Sequence, residues 1–128
     1  MTTTTDSIDA INKLANFSAE RDDEGIITVS IDQSDRKMNV IGDGFNDAFA
    51  TVTDSFIGDD SAKGLILTSA KNSFVVGADI DQLSNIQTAQ QAFDLVEELK
   101  GSLRRLETAG KPVVAAMTGT ALGGGLEL

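Results

Sequence analysis

The chain has 128 residues, 41% of them hydrophobic and 12 of them glycine, an ordinary globular composition that fits one small domain or part of one and excludes disordered and collagen-like chains. With no cysteine and no histidine, disulfides, thiolate nucleophiles, histidine-based triads and His/Cys metal sites are excluded, leaving carboxylates, hydroxyls, lysines and the backbone to carry any chemistry. A net charge of -10 argues against nucleic-acid and membrane-surface binding, but 13 acids and 4 bases fall in residues 1–60 against 7 and 6 in residues 61–128, so the second half stays open to a small anionic ligand.

In chain order, the threonine-rich residues 1–6 have nothing to bury, and residues 7–14 can form at most a frayed helical turn or two; together they read as an N-terminal tail, 1–14. The N-terminus has neither a basic nor an apolar targeting segment, and no apolar run approaches the ~18 residues of a membrane span, so a soluble cytoplasmic protein is expected. Phe17 and Ala19, the polar turn Asp22-Asp23-Glu24-Gly25, and Ile27, Val29 and Ile31 alternate as a hairpin. SDRKMNV then reads as a loop. From Gly44, the spacing of Phe45, Phe49, Val52 and Phe56 predicts a helix that Gly58-Asp59-Asp60 ends.

The run Leu65-Ile66-Leu67 predicts a strand buried on both faces, and KNSFVVGAD reads as a glycine-containing loop. From about Thr88, Phe93, Val96, Leu99, Leu103 and Leu106 line one helical face, with Glu97, Glu98, Arg104 and Arg105 on the solvated side, until Gly110 and Pro112 stop the helix. Val113 to Met117 predicts another short buried strand, followed by a glycine-rich turn and the start of a helix at Gly123-Gly124-Gly125-Leu126-Glu127-Leu128. Alternating strands and helices make this an α/β chain. The last helix stops after about one turn, far below the ~12 residues at which isolated helices become marginal, so a fragment of a longer protein is expected, with residues 15–128 its first portion.

Either glycine turn alone satisfies an ordinary tight connection. Three consecutive glycines opening a helix, at ~1 kcal/mol each relative to alanine, ask for an offsetting close approach to the backbone. A dinucleotide fingerprint fails on spacing, because Ala121 stands where its middle glycine is needed. A P-loop fails because Gly125 and Leu126 stand where Lys and Ser/Thr are needed.

The combination F-V-V-G-A-D-I at 74–80 with K-P-V-V-A-A-M-T-G-T-A-L-G-G-G-L-E at 111–127 resembles the crotonase (enoyl-CoA hydratase/isomerase) superfamily, from about residue 15 to the end. The wording around R-K-M-N-V and A-L-G-G-G-L-E looks most like the hydratase end of bacterial multifunctional fatty-acid oxidation α subunits. The resemblance implies a crotonase-like fold of repeated ββα units, of which this is the N-terminal part, and hydration of 2-enoyl-CoA to 3-hydroxyacyl-CoA in fatty-acid β-oxidation. It implies an oxyanion hole of two backbone N–H groups at Ala78 and Gly124, with Glu127 matching the family's first catalytic glutamate. Glu127 could exchange protons at neutral pH if burial raised its pKa. The second glutamate of the family's hydratases lies further along than the stretch matched here, and these 128 residues do not include it.

Arg36, Lys37, Met38, Val76, Asp79 and Ile80 match positions lining the CoA groove, where a basic pair would answer the charge of a polyanionic ligand. The implied partner is an acyl-CoA or enoyl-CoA thioester, CoA being part of the substrate. Hydration needs no metal or cofactor, and NAD enters only if a dehydrogenase domain follows. An oligomer, or a complex with a thiolase subunit, is expected of the parent protein. A Δ3-Δ2 enoyl-CoA isomerase working with one glutamate and a non-catalytic acyl-CoA-binding module are the alternative readings.

Overall fold

The structure, a computed structural model, describes residues 4–42 and 44–128; residues 1–3 of the expected tail lie outside the described residues. Eleven elements follow one another: α1 (Thr4–Asn12), β1 (Phe17–Arg21), β2 (Ile26–Ile31), β3 (Asn39–Ile41), α2 (Phe45–Ile57), β4 (Gly64–Ser69), β5 (Val75–Ala78), α3 (Ile80–Ser84), α4 (Ala89–Glu107), β6 (Val113–Ala115) and α5 (Gly124–Glu127). No helix among the described residues is long and apolar enough to cross a membrane.

The hairpin forms as the alternation predicts. β1 pairs antiparallel with β2 from Phe17 opposite Ile31 to Arg21 opposite Ile27, and the turn is closed by Asp22, whose Oδ1 accepts from the N–H groups of Glu24 and Ile26 at 2.9 Å. β2, β4 and β6 are parallel, with Ile27 beside Leu65 and Leu65 beside Val113, so the larger sheet runs β1-β2-β4-β6. Helices α2 and α4 bridge the parallel neighbours. Ile27, Val29, Ile31, Leu65 and Leu67 meet Phe45, Phe49, Val52 and Phe56 of α2 in the core.

Only one face of this sheet is covered. Leu65 and Leu67 are buried, but Ile66 is half-buried and Val114 is 55% exposed, correcting the expectation that β4 and β6 are buried on both faces. A short apolar run has the same appearance whether its second face is covered or open.

Three further differences have tertiary causes. The expected tail contains α1, which packs on β1 and α2 with Ile11 fully buried. Ser7 Oγ on this helix donates to Asp59 Oδ2 at 2.6 Å, a tertiary bond that supports a helix too short to persist alone. Burial works against charge on Asp59, but hydrogen bonds from Ser61 and Ser7 outweigh it and hold the carboxyl below its ordinary value.

Second, the SDRKMNV and KNSFVVGAD stretches are not all loop: each contributes a strand, β3 and β5, which pair parallel in a second small sheet. Asn39 anchors it. Fully buried, its Oδ1 accepts from Gln33 N–H, while its Nδ2 lies 2.9 Å from Ser69 Oγ and 3.1 Å from the carbonyl oxygens of Ile31 and Phe74, drawing both sheets together.

Third, α4 buries only part of its predicted face. Leu106 is buried and Leu99 and Leu103 are partly so, whereas Phe93 and Val96 are 60% and 54% exposed. Asn46, in the first turn of α2, donates to the Leu95 carbonyl, and Asp54 near the other end pairs with Arg105. The first turns of α4 therefore run past the start of α2.

Candidate active site

The site forms where the end of β5 meets the segment entering α5. Phe74 N–H donates to the Thr120 carbonyl at 2.8 Å, and Leu122 N–H to the Val75 carbonyl at 3.1 Å, so residues 120–122 run along one edge of β5 while β3 holds the other. The β3–β5 register slips between Asn39 and Ile41, with Gly77 at φ +107°, a conformation that L side chains rarely adopt.

This bulge decides where Ala78 points. Asp79 N–H donates to the Ile41 carbonyl at 2.8 Å on the β3 side. Neighbouring residues of a strand turn their amides to opposite edges, so the Ala78 N–H lies on the other edge, toward residues 122–124. The two turns touch: a Cβ built on Gly123 would stand 3.7 Å from the Gly77 Cα.

The glycine run has a largely internal explanation. A Cβ on Gly125 would lie 1.8 Å from the Val75 carbonyl oxygen, and one on Gly124 would lie 2.7 Å from Ile41 Cδ1. At Gly125, then, the close approach to the backbone is made by the chain's own strand. Gly124 opens α5 and is half-buried.

Ala78, Gly124 and Glu127 border one cavity of about 180 Å³, walled by Ile41, Leu95, Val96, Leu99 and Leu103. Glu127 also borders a neighbouring cavity of about 500 Å³ with Leu67, Leu106 and Val113. It is exposed, so these residues do not supply the burial on which its acid/base role is conditioned. Among the described residues it is the one carboxylate lining the smaller cavity.

The six residues expected at a CoA groove separate into two groups. Lys37, Met38 and Ile80 are exposed, Ile80 at 79%, and Val76 is half-buried. Arg36 and Asp79 are instead occupied with each other, Arg36 Nη2 donating to Asp79 Oδ2 at 2.7 Å. Sequence reasoning missed Lys71, whose Nζ donates to the carbonyl oxygens of Gln33 and Arg36 at 2.7 Å each and pairs with Asp32 at 3.1 Å. It also missed Asn39. Lys71 has partners 35 or more positions away, and Asn39 joins the nearby Gln33 and Ile31 to Ser69 and Phe74, which lie 30 and 35 positions on.

A family model for enoyl-CoA hydratase/isomerase matches residues 21–128. This chain belongs to the enoyl-CoA hydratase/isomerase family. It is 36% identical over 113 residues to the "Fatty acid oxidation complex subunit alpha" of Idiomarina loihiensis and 40% identical over 113 residues to that of Shewanella halifaxensis, in each case across 88% of this chain. The chain spans 16% of the length of those relatives.

Among solved family members, an enoyl-CoA hydratase from Shewanella pealeana superposes with a TM-score of 0.84 at 22% identity, covering 94% of this chain and 45% of that one. An enoyl-CoA hydratase/carnithine racemase from Magnetospirillum magneticum gives 0.79 at 28% identity, covering 89% and 43%. The fold is thus the crotonase fold, its N-terminal part, as the resemblance implies.

Proposed function

We propose that the protein to which these residues belong hydrates 2-enoyl-CoA thioesters in fatty-acid β-oxidation, and that this chain supplies its oxyanion hole and first glutamate. The observation that carries the reading is the meeting of Ala78, Gly124 and Glu127 at one largely apolar cavity.

Water adds its oxygen to the β-carbon of the conjugated thioester, and the displaced π electrons move onto the thioester oxygen. The N–H groups of Ala78 and Gly124 hold that oxygen. Each such donor is worth ~3–4 kcal/mol to the transition state. The resulting enolate takes a proton at the α-carbon while the added water loses one, giving the 3-hydroxyacyl thioester. Glu127, three residues after Gly124, shares its helical face and exchanges one of these protons. The other falls to the second glutamate that the family's hydratases carry after this stretch. The CoA moiety lies along the groove bordered by Arg36, Lys37, Met38, Val76, Asp79 and Ile80, and hydration itself uses no further cofactor. We place the protein in the cytoplasm, in a complex with a thiolase subunit, with NAD required only by a fused dehydrogenase domain.

Isomerisation of a 3-enoyl thioester is the second reading, favoured by Glu127 being the single carboxylate at the cavity among the described residues. The full-length gene product mixed with a 2-enoyl-CoA, and separately with a 3-enoyl-CoA, decides between them. Loss of the conjugated absorbance from the first supports hydration, whereas its appearance from the second without loss from the first supports isomerisation. No change in either would overturn both.

A further inference from the structure

We propose that Arg36 is a positioning residue that fixes the Ala78–Asp79 turn, and that the attraction of CoA phosphates falls to its neighbour Lys37; this rests on the CoA reading above. Asp79 follows Ala78 directly and is tied at several points. Its Oδ2 accepts from Arg36 Nη2 at 2.7 Å, and its Oδ1 accepts from Asp81 N–H at 3.0 Å as the cap of α3. Its N–H donates to the Ile41 carbonyl at 2.8 Å, and its carbonyl accepts from Leu83 N–H at 3.0 Å.

The Asp79 side chain is 13% exposed and that of Arg36 40%, so the pair is shielded on its carboxylate side while solvent screens the guanidinium. A Cβ on Gly42 would stand 3.0 Å from both Asp79 Cβ and Oδ2, so it is the missing side chain at Gly42 that lets the carboxylate lie against this backbone. The other end of the strut is anchored too, since Lys71 Nζ donates to the Arg36 carbonyl at 2.7 Å.

Arg36 is thus held by its backbone on one side and its guanidinium on the other, while Lys37 is exposed and has no hydrogen-bond or ion-pair partner among the described residues. A long-range anion has one uncommitted cation to meet in this loop. Removing the strut loosens the turn that carries the Ala78 N–H; removing Lys37 takes away charge alone.

Amide hydrogen exchange in the 128-residue chain tests the strut without any ligand. Arg36→Gln is expected to speed exchange at Asp79 and Leu83 about fivefold, Arg36→Lys to restore most of the protection, and Lys37→Gln to leave both amides as they are. Unchanged exchange in Arg36→Gln would overturn the proposal.

Titration with free coenzyme A at about 0.05 M and about 0.2 M salt then separates the two cations. Arg36→Lys, which keeps the charge, is expected to leave the salt dependence as in wild type, whereas Lys37→Gln flattens it. An unchanged salt dependence in Lys37→Gln would overturn the role given to Lys37. If the wild-type chain and the full-length gene product both fail to bind coenzyme A, the CoA reading and the role of Lys37 fall, while the exchange result still decides whether Arg36 positions the turn.

Discussion

Gly125→Ala adds one methyl group where the chain has no room for it. The new carbon would lie 1.8 Å from the Val75 carbonyl oxygen and 2.5 Å from its carbon, against about 3.5–4.0 Å for resting carbon contacts. Both atoms are backbone of β5 and cannot rotate aside, so the segment entering α5 must retreat by more than an ångström and weaken the Leu122 N–H bond to the same carbonyl. Overpacking and the lost hydrogen bond together are expected to cost about 2–4 kcal/mol of stability. The same retreat carries Gly124 away from the edge on which the Ala78 N–H lies; losing one oxyanion donor corresponds to about 100- to 1000-fold in turnover. Thermal unfolding of the 128-residue chain and enoyl-thioester hydration by the full-length gene product measure the two effects. Gly101→Ala is the control, since a Cβ there meets nothing within 4 Å in the middle of α4 and should gain up to about 1 kcal/mol. A Gly125→Ala protein that melts and turns over like wild type would refute the close approach of α5 to β5.

Asp59→Asn should destabilise the fold at neutral pH by about 1.5 kcal/mol for weakened charge-assisted hydrogen bonds, read as a lower melting temperature. Because the folded carboxyl titrates below its ordinary value of 3.8, its contribution is present above that pH and lost as pH falls through the lower folded value, so wild type and variant should converge in acid; parallel melting curves from neutral pH to about pH 3 would contradict this. Gly124→Val should reduce turnover at least about 100-fold by driving a branched side chain into Ile41 and the cavity mouth, and unchanged kinetics would move the oxyanion site elsewhere. The 128-residue chain alone should show no hydration above the uncatalysed rate, since the proposed second glutamate follows later and β6 presents an open edge. Turnover abolished by Glu127→Gln in that chain would contradict the expectation.

Much of the larger sheet and its covering helix was legible because its signals are local. The three- and four-residue spacing from Phe45 to Phe56 and the alternation of Ile27, Val29 and Ile31 each need only a short window of chain. β3 and β5 were illegible for the opposite reason: three and four residues long, they exist by pairing Asn39 with Val75, and Asn39 looks like a loop residue until its buried partners are known. The helix in the expected tail depends on a bond from Ser7 to Asp59 across 52 positions, and the Arg36–Asp79 pair spans 43. At the site, Ala78, Gly124 and Glu127 could be named from the two glycine-containing blocks through family resemblance. Their shared cavity could not, because it depends on how far α4 runs past α2. Nor could the reason for Gly125, which is the Val75 carbonyl.

The central claim is tested most directly by single-turnover kinetics of Glu127→Gln in the full-length gene product with a short-chain 2-enoyl-CoA. Glutamine keeps the shape and removes the exchangeable carboxyl proton, so thioester binding should stay within about twofold while the hydration step slows at least about 100-fold. Hydration at near wild-type speed, with binding intact, would remove Glu127 from the chemistry and contradict the account.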